Sequence, residues 1–237
     1  MIHIDLAYGL ILDKRFDKWH NILINIEKYF KVTPQLFLAG DGKTYHDAFY
    51  SHVDVTTKPP FYPNYSTTYA TWWNKPHAYN AFLCHQKIIK KAIENNVNNV
   101  LILEDDLQIE KDFDIIFEAV EPNIPQNWDM VYFGAYHNGQ TTKIYESPVK
   151  LFGDTYASIL KVRGSAGFHC VLIKNTMFGI LSQVKPLGPL DEICGKYLHN
   201  LYNCYAIYPS IVTQEDGYSY IEEQHLTKPD RYTLKCN

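Results

Sequence analysis

The spacing of apolar residues along the chain predicts a repeating order of strands and helices. Residues 8–13 form a short apolar run that is typical of a first strand. The next segment has apolar residues at helical spacing, which are Phe16, Trp19, Ile22, Leu23, Ile26 and Phe30. Residues 35–39 then predict a second strand, with a turn at 40–42. A strand, a helix and a strand in this order favour a doubly wound α/β sheet.

A second helix and strand follow after residue 75. Pro76 suits the first turn of a helix, and one apolar face follows it, made of Ala78, Ala81, Phe82, His85, Ile88, Ile89, Ala92 and Ile93. Asn95 and Asn96 are expected to end this helix. Residues 100–103 are four consecutive aliphatic residues, which indicates a strand buried on both faces.

The rest of the chain continues the mixed pattern. Strands are predicted at 129–134, 156–162, 168–173 and 205–212, a helix at 176–184, and a loop at 187–192 that leads into another helix. The glycines of residues 163–167 fit a turn, or a close approach to a ligand. Since no repeat or linker is visible, we predict one domain over residues 1–237.

Residues 44–75 break the regular pattern. Three prolines, Pro59, Pro60 and Pro63, exclude a regular helix, and nine aromatic residues crowd the segment. Long connections without periodicity are uncommon in compact domains and often form binding or lid loops. Aromatic faces would suit sugar rings, and an ordinary loop pinned by aromatic contacts is an equal alternative.

Composition excludes several classes of function. The 237 residues carry a net charge of −4, which gives no electrostatic basis for binding nucleic acid or an anionic membrane. The five cysteines lack Cys-x-x-Cys spacing, which argues against a zinc knuckle or a disulfide framework and leaves one pair, such as Cys194 with Cys204, open. Without a signal-like N-terminus or a long apolar run, we expect a soluble and, by default, cytosolic protein.

Three acids follow the strand predicted at 100–103, namely Glu104, Asp105 and Asp106. Ligands of parallel sheets bind at the carboxyl ends of the strands. Three adjacent carboxylates repel one another unless a cation lies among them, and Mg²⁺ and Mn²⁺ prefer carboxylate oxygens. The pattern therefore predicts a divalent metal site that could neutralise a diphosphate, with a solvated acidic loop as the alternative.

Short motifs occur in a fixed order along the chain. They are Leu10-Ile-Leu-Asp-Lys-Arg15, Ala39-Gly-Asp-Gly-Lys43, Leu103-Glu-Asp-Asp106, Asn127-Trp-Asp-Met-Val-Tyr132, Pro189-Leu-Asp-Glu192, Tyr208-Pro-Ser210 and Glu215-Asp-Gly-Tyr218. Together they resemble the family 25 glycosyltransferases, which include lipopolysaccharide and procollagen galactosyltransferases. The last two are most similar to the procollagen branch. Of the family's Gly-Cys-x-x-Ser-His motif only the histidine, His85, is retained.

The resemblance implies a fold and a reaction. The fold is an α/β, single GT-A-type Rossmann-like domain with a central mixed, mostly parallel sheet. Residues 1–110 would be the nucleotide-sugar-binding half and residues 111–237 the acceptor-binding half. The enzyme would use Mn²⁺, with Mg²⁺ as the alternative, to move a hexose from UDP-galactose or UDP-glucose. The acceptor would be a hydroxyl of hydroxylysine or galactosyl-hydroxylysine in collagen-like protein, or of lipopolysaccharide or a surface glycan.

The resemblance also implies roles for individual residues. Alternation along an extended chain places Glu104 and Asp106 on one side, so Asp106 is the expected metal ligand and Glu104 a ligand of metal water or ribose. Asp105 would then face a backbone amide or a basic side chain. The C-terminal region would supply one more metal ligand, His225, with Asp216 and Glu215 as alternatives.

The remaining candidates concern the base and the nucleotide. Asp191 is the expected general base, with Glu192 in reserve, and a helix N-cap is the structural alternative for Asp191. The nucleotide would contact residues at the ends of the first two strands, which are Leu12, Asp13, Arg15 and Asp41, together with Glu104 and Asp105. His85 lies on an apolar helix face, which favours a core histidine.

Two other functions compete with a glycosyltransferase. A phosphohydrolase on an α/β sheet would also place acids at strand ends, but it would usually need a second His and Asp cluster, which the sequence does not show. A silent sugar-binding module would keep the aromatic residues without needing both the acids at 104–106 and Asp191. The sequence leaves a homo-oligomer open, because symmetric oligomers are common.

Overall fold

The computed structural model describes residues 2–40, 76–186, 188–219 and 224–226. The first elements are strand β1 (Leu6–Leu12), a 3₁₀ helix (Asp13–Lys18), helix α1 (Trp19–Phe30), strand β2 (Gln35–Ala39), helix α2 (Pro76–Glu94) and strand β3 (Asn99–Glu104). They confirm the strands and helices predicted for this part of the chain. The predicted turn at 40–42, beyond Gly40, and the aromatic segment at 44–75 lie outside the described residues.

The second part of the chain has more strands than helices. Its elements are β4 (Leu107–Ile109), α3 (Phe113–Val120), β5 (Met130–Tyr132), β6 (Tyr136–Phe152), β7 (Thr155–Ala166), β8 (Cys170–Lys174), α4 (Asn175–Leu181), α5 (Leu190–Ile193), β9 (Cys204–Tyr208), β10 (Val212–Gln214), β11 (Gly217–Ser219) and β12 (Gln224–Leu226). Helix α5 continues into a π-helical turn at Cys194–Leu198.

The central sheet has eight strands in the order β2-β1-β3-β8-β5-β9-β7-β6. Strand β1 pairs in parallel with β2 and β3, and β5 pairs in parallel with β9. Strands β8 and β7 run against their neighbours, so six of the eight strands share one direction. The predicted class, an α/β fold with a mixed, mostly parallel sheet, is confirmed. The division into two halves at residue 110 stays a prediction.

Helices cover both faces of this sheet, which explains the continuous apolar run of β3. Val100 and Ile102 pack on one face with residues of α2, α4 and α5. Leu101 and Leu103 pack on the other face with residues of α1 and α3. All four side chains are fully buried. The strand is therefore held rigidly, and it brings Glu104, its last residue, and the two acids that follow to a fixed place at the sheet edge.

Several sequence predictions are wrong in detail. The predicted strand at 205–212 is two strands, because Pro209 lacks the N–H that a ladder needs. Residues 163–166 belong to β7 and pair with β6, so they are not a turn. Phe16 is exposed, since the α-helix begins only at Trp19. The sequence left open a disulfide between Cys194 and Cys204. The structure excludes it, because both thiols are free and buried.

Two glycines give contrasting predictions for stability. A Cβ at Gly134 would lie 1.8 Å from the backbone oxygen of Val212, so Gly134→Ala should lower the free energy of unfolding by about 3 kcal/mol or more. A Cβ at Gly179, inside α4, meets open space, and Gly179→Ala should raise that free energy by about 0.5–1 kcal/mol. Urea unfolding of both variants checks this pair, and equal effects of the two substitutions would contradict the packing at Gly134.

None of the helices in the described ranges combines the length and the apolar composition that a membrane span requires.

Candidate active site

The acids at 104–106, of which Glu104 is the last residue of β3, lie at the edge of the sheet where β1 also ends. Because β1 and β3 run in parallel, with Leu10 opposite Glu104, their carboxyl ends reach the same edge. The middle of α2 and the first turn of α5 contribute His85 and Asp191 to the same region, since His85 lowers the pKa of Glu104, and Glu104 and His85 both influence the pKa of Asp191. The three consecutive acids make different contacts, which assign them different roles.

Asp105 is the structural member of the three. Its Oδ2 accepts a hydrogen bond from the Leu12 N–H at 2.9 Å, and its Oδ1 lies 2.9 Å from an Arg15 nitrogen. The predicted contact with a backbone amide or a basic side chain is confirmed. Burial raises the pKa of Asp105, although Arg15 and the Leu12 N–H oppose that shift. Asp105 thus fixes the end of β1 and the position of Arg15.

Glu104 faces a buried histidine. Its Oε1 lies 3.2 Å from Nε2 of His85, whose side chain is only 5% exposed. Burial alone would raise the pKa of Glu104, but His85, His169 and Arg15 outweigh that effect and the net shift is downward. His85 is buried as predicted, and sequence reasoning missed that it also supports an acid of the site.

Asp106 is hydrogen-bonded through one carboxylate oxygen and through its backbone oxygen, while its other carboxylate oxygen has no partner in the described ranges. Its Oδ2 accepts a hydrogen bond from Nε2 of Gln214 at 3.0 Å, and its backbone oxygen accepts one from the Glu215 N–H at 2.6 Å. Its Oδ1 is buried and accepts no hydrogen bond from any residue of the described ranges. Burial, with Glu104 and Asp105 nearby, raises the pKa of Asp106 to about 7. Within the described ranges no cationic side chain is seen to form an ion pair with this carboxylate, and Arg15 only partly offsets the upward shift of its pKa.

The donor set fits a cation that is bound largely by its substrate. Within the described ranges no three His, Cys, Asp or Glu side chains form a ready metal cage. Mg²⁺ and similar ions are often held by one or two carboxylates together with substrate phosphates. The unpartnered Oδ1 of Asp106 would supply one such carboxylate ligand, so the residues are compatible with a metal of this kind.

The predicted C-terminal ligands differ in their surroundings. His225 lies in β12, opposite Tyr218 of β11, and its side chain is outside the described part of the structure. Glu215 forms an ion pair of 2.7 Å with Lys18. Asp216 is exposed just before β11. The choice among these three ligands stays a prediction.

Asp191 is fastened by the backbone on both of its oxygens. Oδ1 accepts a hydrogen bond from the Glu192 N–H at 2.9 Å, and Oδ2 accepts one from the Gly167 N–H at 2.8 Å. The alternative role as a helix N-cap is wrong, since α5 begins at Leu190 and Pro189 is its N-cap. Burial and the nearby Glu104 raise the pKa of Asp191. A fixed carboxylate with a raised pKa is suited to accept a proton.

The remaining nucleotide candidates lie around the end of β1. Leu12 is its last residue, Asp13 is exposed in the following 3₁₀ helix, and Arg15 is 21% exposed beside Asp105. Asp41 lies outside the described residues. Glu192 is half-buried next to Asp191 in the first turn of α5. Of these candidates, Leu12 and Arg15 contact the acidic motif directly, because both bind the side chain of Asp105.

Sequence reasoning missed two residues besides the pairing of His85. Gln214 reaches Asp106 from β10, and His169 is fully buried with its backbone oxygen accepting the Glu104 N–H at 3.0 Å. Both contacts depend on strand pairings between distant parts of the chain. The apolar helix face around His85 was the only sequence signal that pointed towards such a contact.

Arg15 should contribute strongly to stability through Asp105. The substitution Arg15→Met leaves a carboxylate that is 9% exposed beside Glu104 and Asp106 without its ion-pair partner, so we expect a loss of about 3 kcal/mol in the free energy of unfolding. The matched substitution Lys150→Met breaks an exposed pair with Asp154 and should cost less than about 1 kcal/mol. Chemical denaturation without ligand compares them, and similar losses would contradict a buried role for Asp105.

Comparison with known protein families finds a match over part of the chain. Residues 81–153 match the model of glycosyltransferase family 25 (LPS biosynthesis protein). The matched segment is less than a third of the chain, and it contains His85 and the acids at 104–106. The match supports a glycosyltransferase and leaves the branch within the family undecided. No curated protein matches the chain in sequence.

Solved structures show only distant similarity. The crystal structure of A197 from STIV is 11% identical with a TM-score of 0.39, over 98% of this chain and 98% of that chain. The crystal structure of a glycosyltransferase involved in the glycosylation of the major capsid of PBCV-1 is 9% identical with a TM-score of 0.42, over 92% of this chain and 96% of that chain. Similarity this low carries no weight for the function of this chain.

Proposed function

We propose that this protein is a metal-dependent glycosyltransferase that moves a hexose from UDP-galactose or UDP-glucose to a hydroxyl acceptor. The observation that carries the proposal is the buried Oδ1 of Asp106, which has no hydrogen-bond partner among the described residues, close to the carboxyl end of β3. It lies beside Glu104 in the segment that matches the family model. Asp105 pairs with Arg15 and Glu104 lies beside His85, so Asp106 is the acid for which a cation is proposed, and a nucleotide diphosphate would arrive with one.

Asp106 would hold the metal directly, and Glu104 would bind metal water or the ribose hydroxyls. His225 is the proposed additional ligand from the C-terminal strands. Mn²⁺, or Mg²⁺ in its place, supplies positive charge that stabilises the departing diphosphate. The nearby His85 favours the ionised form of Glu104.

Asp191 would act as the general base in a transfer with inversion. Its two backbone hydrogen bonds fix both oxygens and still leave a lone pair for the acceptor hydroxyl. Its raised pKa makes it a better proton acceptor than a solvated carboxylate. Glu192, the next residue of α5, is the reserve candidate.

The nucleotide would bind where β1 and β2 end. Leu12, Asp13, Arg15 and Asp41 are the proposed contacts for the base and ribose. Asp105 would hold Leu12 and Arg15 in place through its hydrogen bond to the Leu12 N–H and its ion pair with Arg15. Within one short motif, Asp106 would therefore serve the metal and Asp105 would support the nucleotide site.

Two acceptors are proposed for this reaction. Hydroxylysine or galactosyl-hydroxylysine of collagen-like protein is supported by the similarity of Glu215-Asp-Gly-Tyr218 to the procollagen branch. A hydroxyl of lipopolysaccharide or another surface glycan is supported by the description of the matching family model as an LPS biosynthesis protein.

A UDP-release assay with Mn²⁺ separates these acceptors and the competing functions. Each donor is tested alone, with a hydroxylysine peptide, with its galactosylated form and with a lipopolysaccharide core glycan. Release stimulated by one acceptor would identify both donor and acceptor. If folded protein releases no UDP from either donor under any condition, the glycosyltransferase proposal is wrong, and UDP binding without turnover would indicate a silent module.

A further inference from the structure

The side chain of Gln214 contacts the acid that is proposed to bind metal. Its Nε2 donates to Oδ2 of Asp106 at 3.0 Å, and Oδ1 of the same carboxylate stays open among the described residues. The next residue, Glu215, donates its N–H to the backbone oxygen of Asp106 at 2.6 Å. Side chain and backbone of Asp106 are therefore both fixed from one short stretch of chain.

Strand β10 holds Gln214 in this place from two directions. It pairs antiparallel with β4, and Gln214 lies opposite Leu107, the residue directly after Asp106. At its other end, the N–H groups of Ile211 and Val212 both donate to the backbone oxygen of Phe133, at 2.9 and 3.1 Å. Since Phe133 follows β5 of the central sheet, the position of Gln214 is tied to the rigid core.

The neutral amide of Gln214 leaves the charge of Asp106 intact. Two of the three cations of the 3₁₀ helix are directed to other acids, with Arg15 at 2.9 Å from Asp105 and Lys18 at 2.7 Å from Glu215. A cation on Asp106 itself would compete with a metal, whereas an amide fixes one oxygen without neutralising the carboxylate. Outer contacts of this kind orient metal ligands and raise metal affinity.

We propose that Gln214 is a positioning residue that holds Oδ2 of Asp106 so that Oδ1 faces a divalent cation. This inference rests on the proposed function, because it assumes that Asp106 binds the metal. It adds a contribution from the C-terminal part of the chain to metal binding that is independent of His225. A purely structural role, in which the amide only satisfies a buried acid, makes a different prediction for metal affinity.

The test is a Mn²⁺ titration of the whole chain in the presence of UDP, with free Mn²⁺ followed by electron paramagnetic resonance. The substitution Gln214→Met keeps the length of the side chain and removes the donor. We expect it to weaken Mn²⁺ binding about 10- to 100-fold. The matched control is Gln108→Met, an exposed glutamine of β4 in the same two-stranded sheet, which should bind Mn²⁺ like the wild type.

Kinetics and stability separate positioning from a structural role. If Gln214 positions Asp106, Gln214→Met should raise the Mn²⁺ concentration for half-maximal turnover and leave kcat at saturating Mn²⁺ close to the wild-type value. A lower thermal midpoint with unchanged Mn²⁺ affinity would overturn the inference and leave the proposed function standing. If Gln214→Met does not fold, Gln214→Asn is used instead. It keeps the amide but shortens the side chain by one methylene, which moves the donor away from Asp106. Equal Mn²⁺ affinity in that variant and the wild type would likewise overturn the inference.

The wild-type titration tests the proposed function separately. Wild-type protein that binds no Mn²⁺, either alone or with UDP, would overturn the metal-dependent function and this inference with it. If the wild type, Gln214→Met and Gln108→Met bind Mn²⁺ with equal affinity, only the role of Gln214 is overturned.

Discussion

Asp106→Asn should abolish metal-dependent turnover of the UDP-sugar and should stabilise the metal-free fold above pH 7. The amide cannot supply the anionic ligand, and the metal's share of transition-state stabilisation is several kcal/mol, so we expect kcat/KM to fall about 1000-fold. UDP release at saturating Mn²⁺ measures this loss. Turnover within about tenfold of the wild type would show that Asp106 is not the metal ligand.

The stability part of this prediction follows from the pKa of Asp106. Burial and its acidic neighbours raise that pKa from its ordinary value to about 7. Between about pH 4 and 7 the folded state therefore holds a proton that the unfolded state has lost, and wild-type stability falls as the pH rises through this window. The asparagine variant has no such proton and should lack this part of the fall.

Thermal melts in EDTA between pH 4.5 and 8.5 check the sign. The difference in melting temperature between Asp106→Asn and the wild type should grow with pH and level off above about pH 7, by about 2–4 °C for each kcal/mol. Adding Mn²⁺ and UDP should stabilise only the wild type. The control Asp154→Asn, at a fully exposed position, should follow the wild type throughout. If the difference in melting temperature became smaller as the pH rises, the raised pKa of Asp106 would be contradicted.

Asp191→Asn should lower kcat while leaving binding of the donor almost unchanged. A general base contributes about 10²- to 10⁴-fold to a rate, and the amide cannot accept the hydroxyl proton. The KM for the UDP-sugar should stay within about threefold, because no donor contact is removed. Steady-state kinetics with the acceptor identified by UDP release measure both parameters. A kcat within about threefold of the wild type would exclude Asp191 as the base and leave Glu192 to be tested.

This variant also carries a structural cost that needs its own control. Asparagine has one acceptor oxygen, so it can satisfy only one of the Gly167 and Glu192 N–H groups and should lose about 1–3 kcal/mol of stability. Asp129 is also held on both oxygens, at the opposite end of the strands, where it accepts from the Thr176 hydroxyl at 2.6 Å and from the Asn203 N–H at 2.7 Å. Asp129→Asn should show the stability loss with kcat unchanged.

The parts of the fold that follow local rules could be predicted from sequence. The β1-α1-β2 order and the helix-strand pair of α2 and β3 have clear periodicity, and their order fits a parallel sheet. Strand β6 was missed, because its 17 residues are mostly polar and it is stabilised by pairing with β7. Strand β10 was merged with β9, since the break at Pro209 interrupts a continuous apolar run.

The site was predictable to a similar extent. The acids at 104–106 could be placed at a strand end, and alternation correctly separated Asp105 from its neighbours. The contacts of Glu104 with His85 and of Asp106 with Gln214 could not be found, because they join residues 19 and 108 positions apart in the chain. The contact of Asp191 with Gly167 likewise depends on how α5 packs against the end of β7.

Calorimetric titration of UDP into the wild-type protein, in Mn²⁺ and in EDTA, tests most directly whether the acids after β3 bind a metal diphosphate. It needs no knowledge of the acceptor. We expect UDP to bind in Mn²⁺ and to bind at least about tenfold more weakly in EDTA, because the acids at 104–106 would then face the diphosphate without a cation. Equal affinity in both solutions, or no binding in either, would contradict a metal-dependent UDP-sugar site.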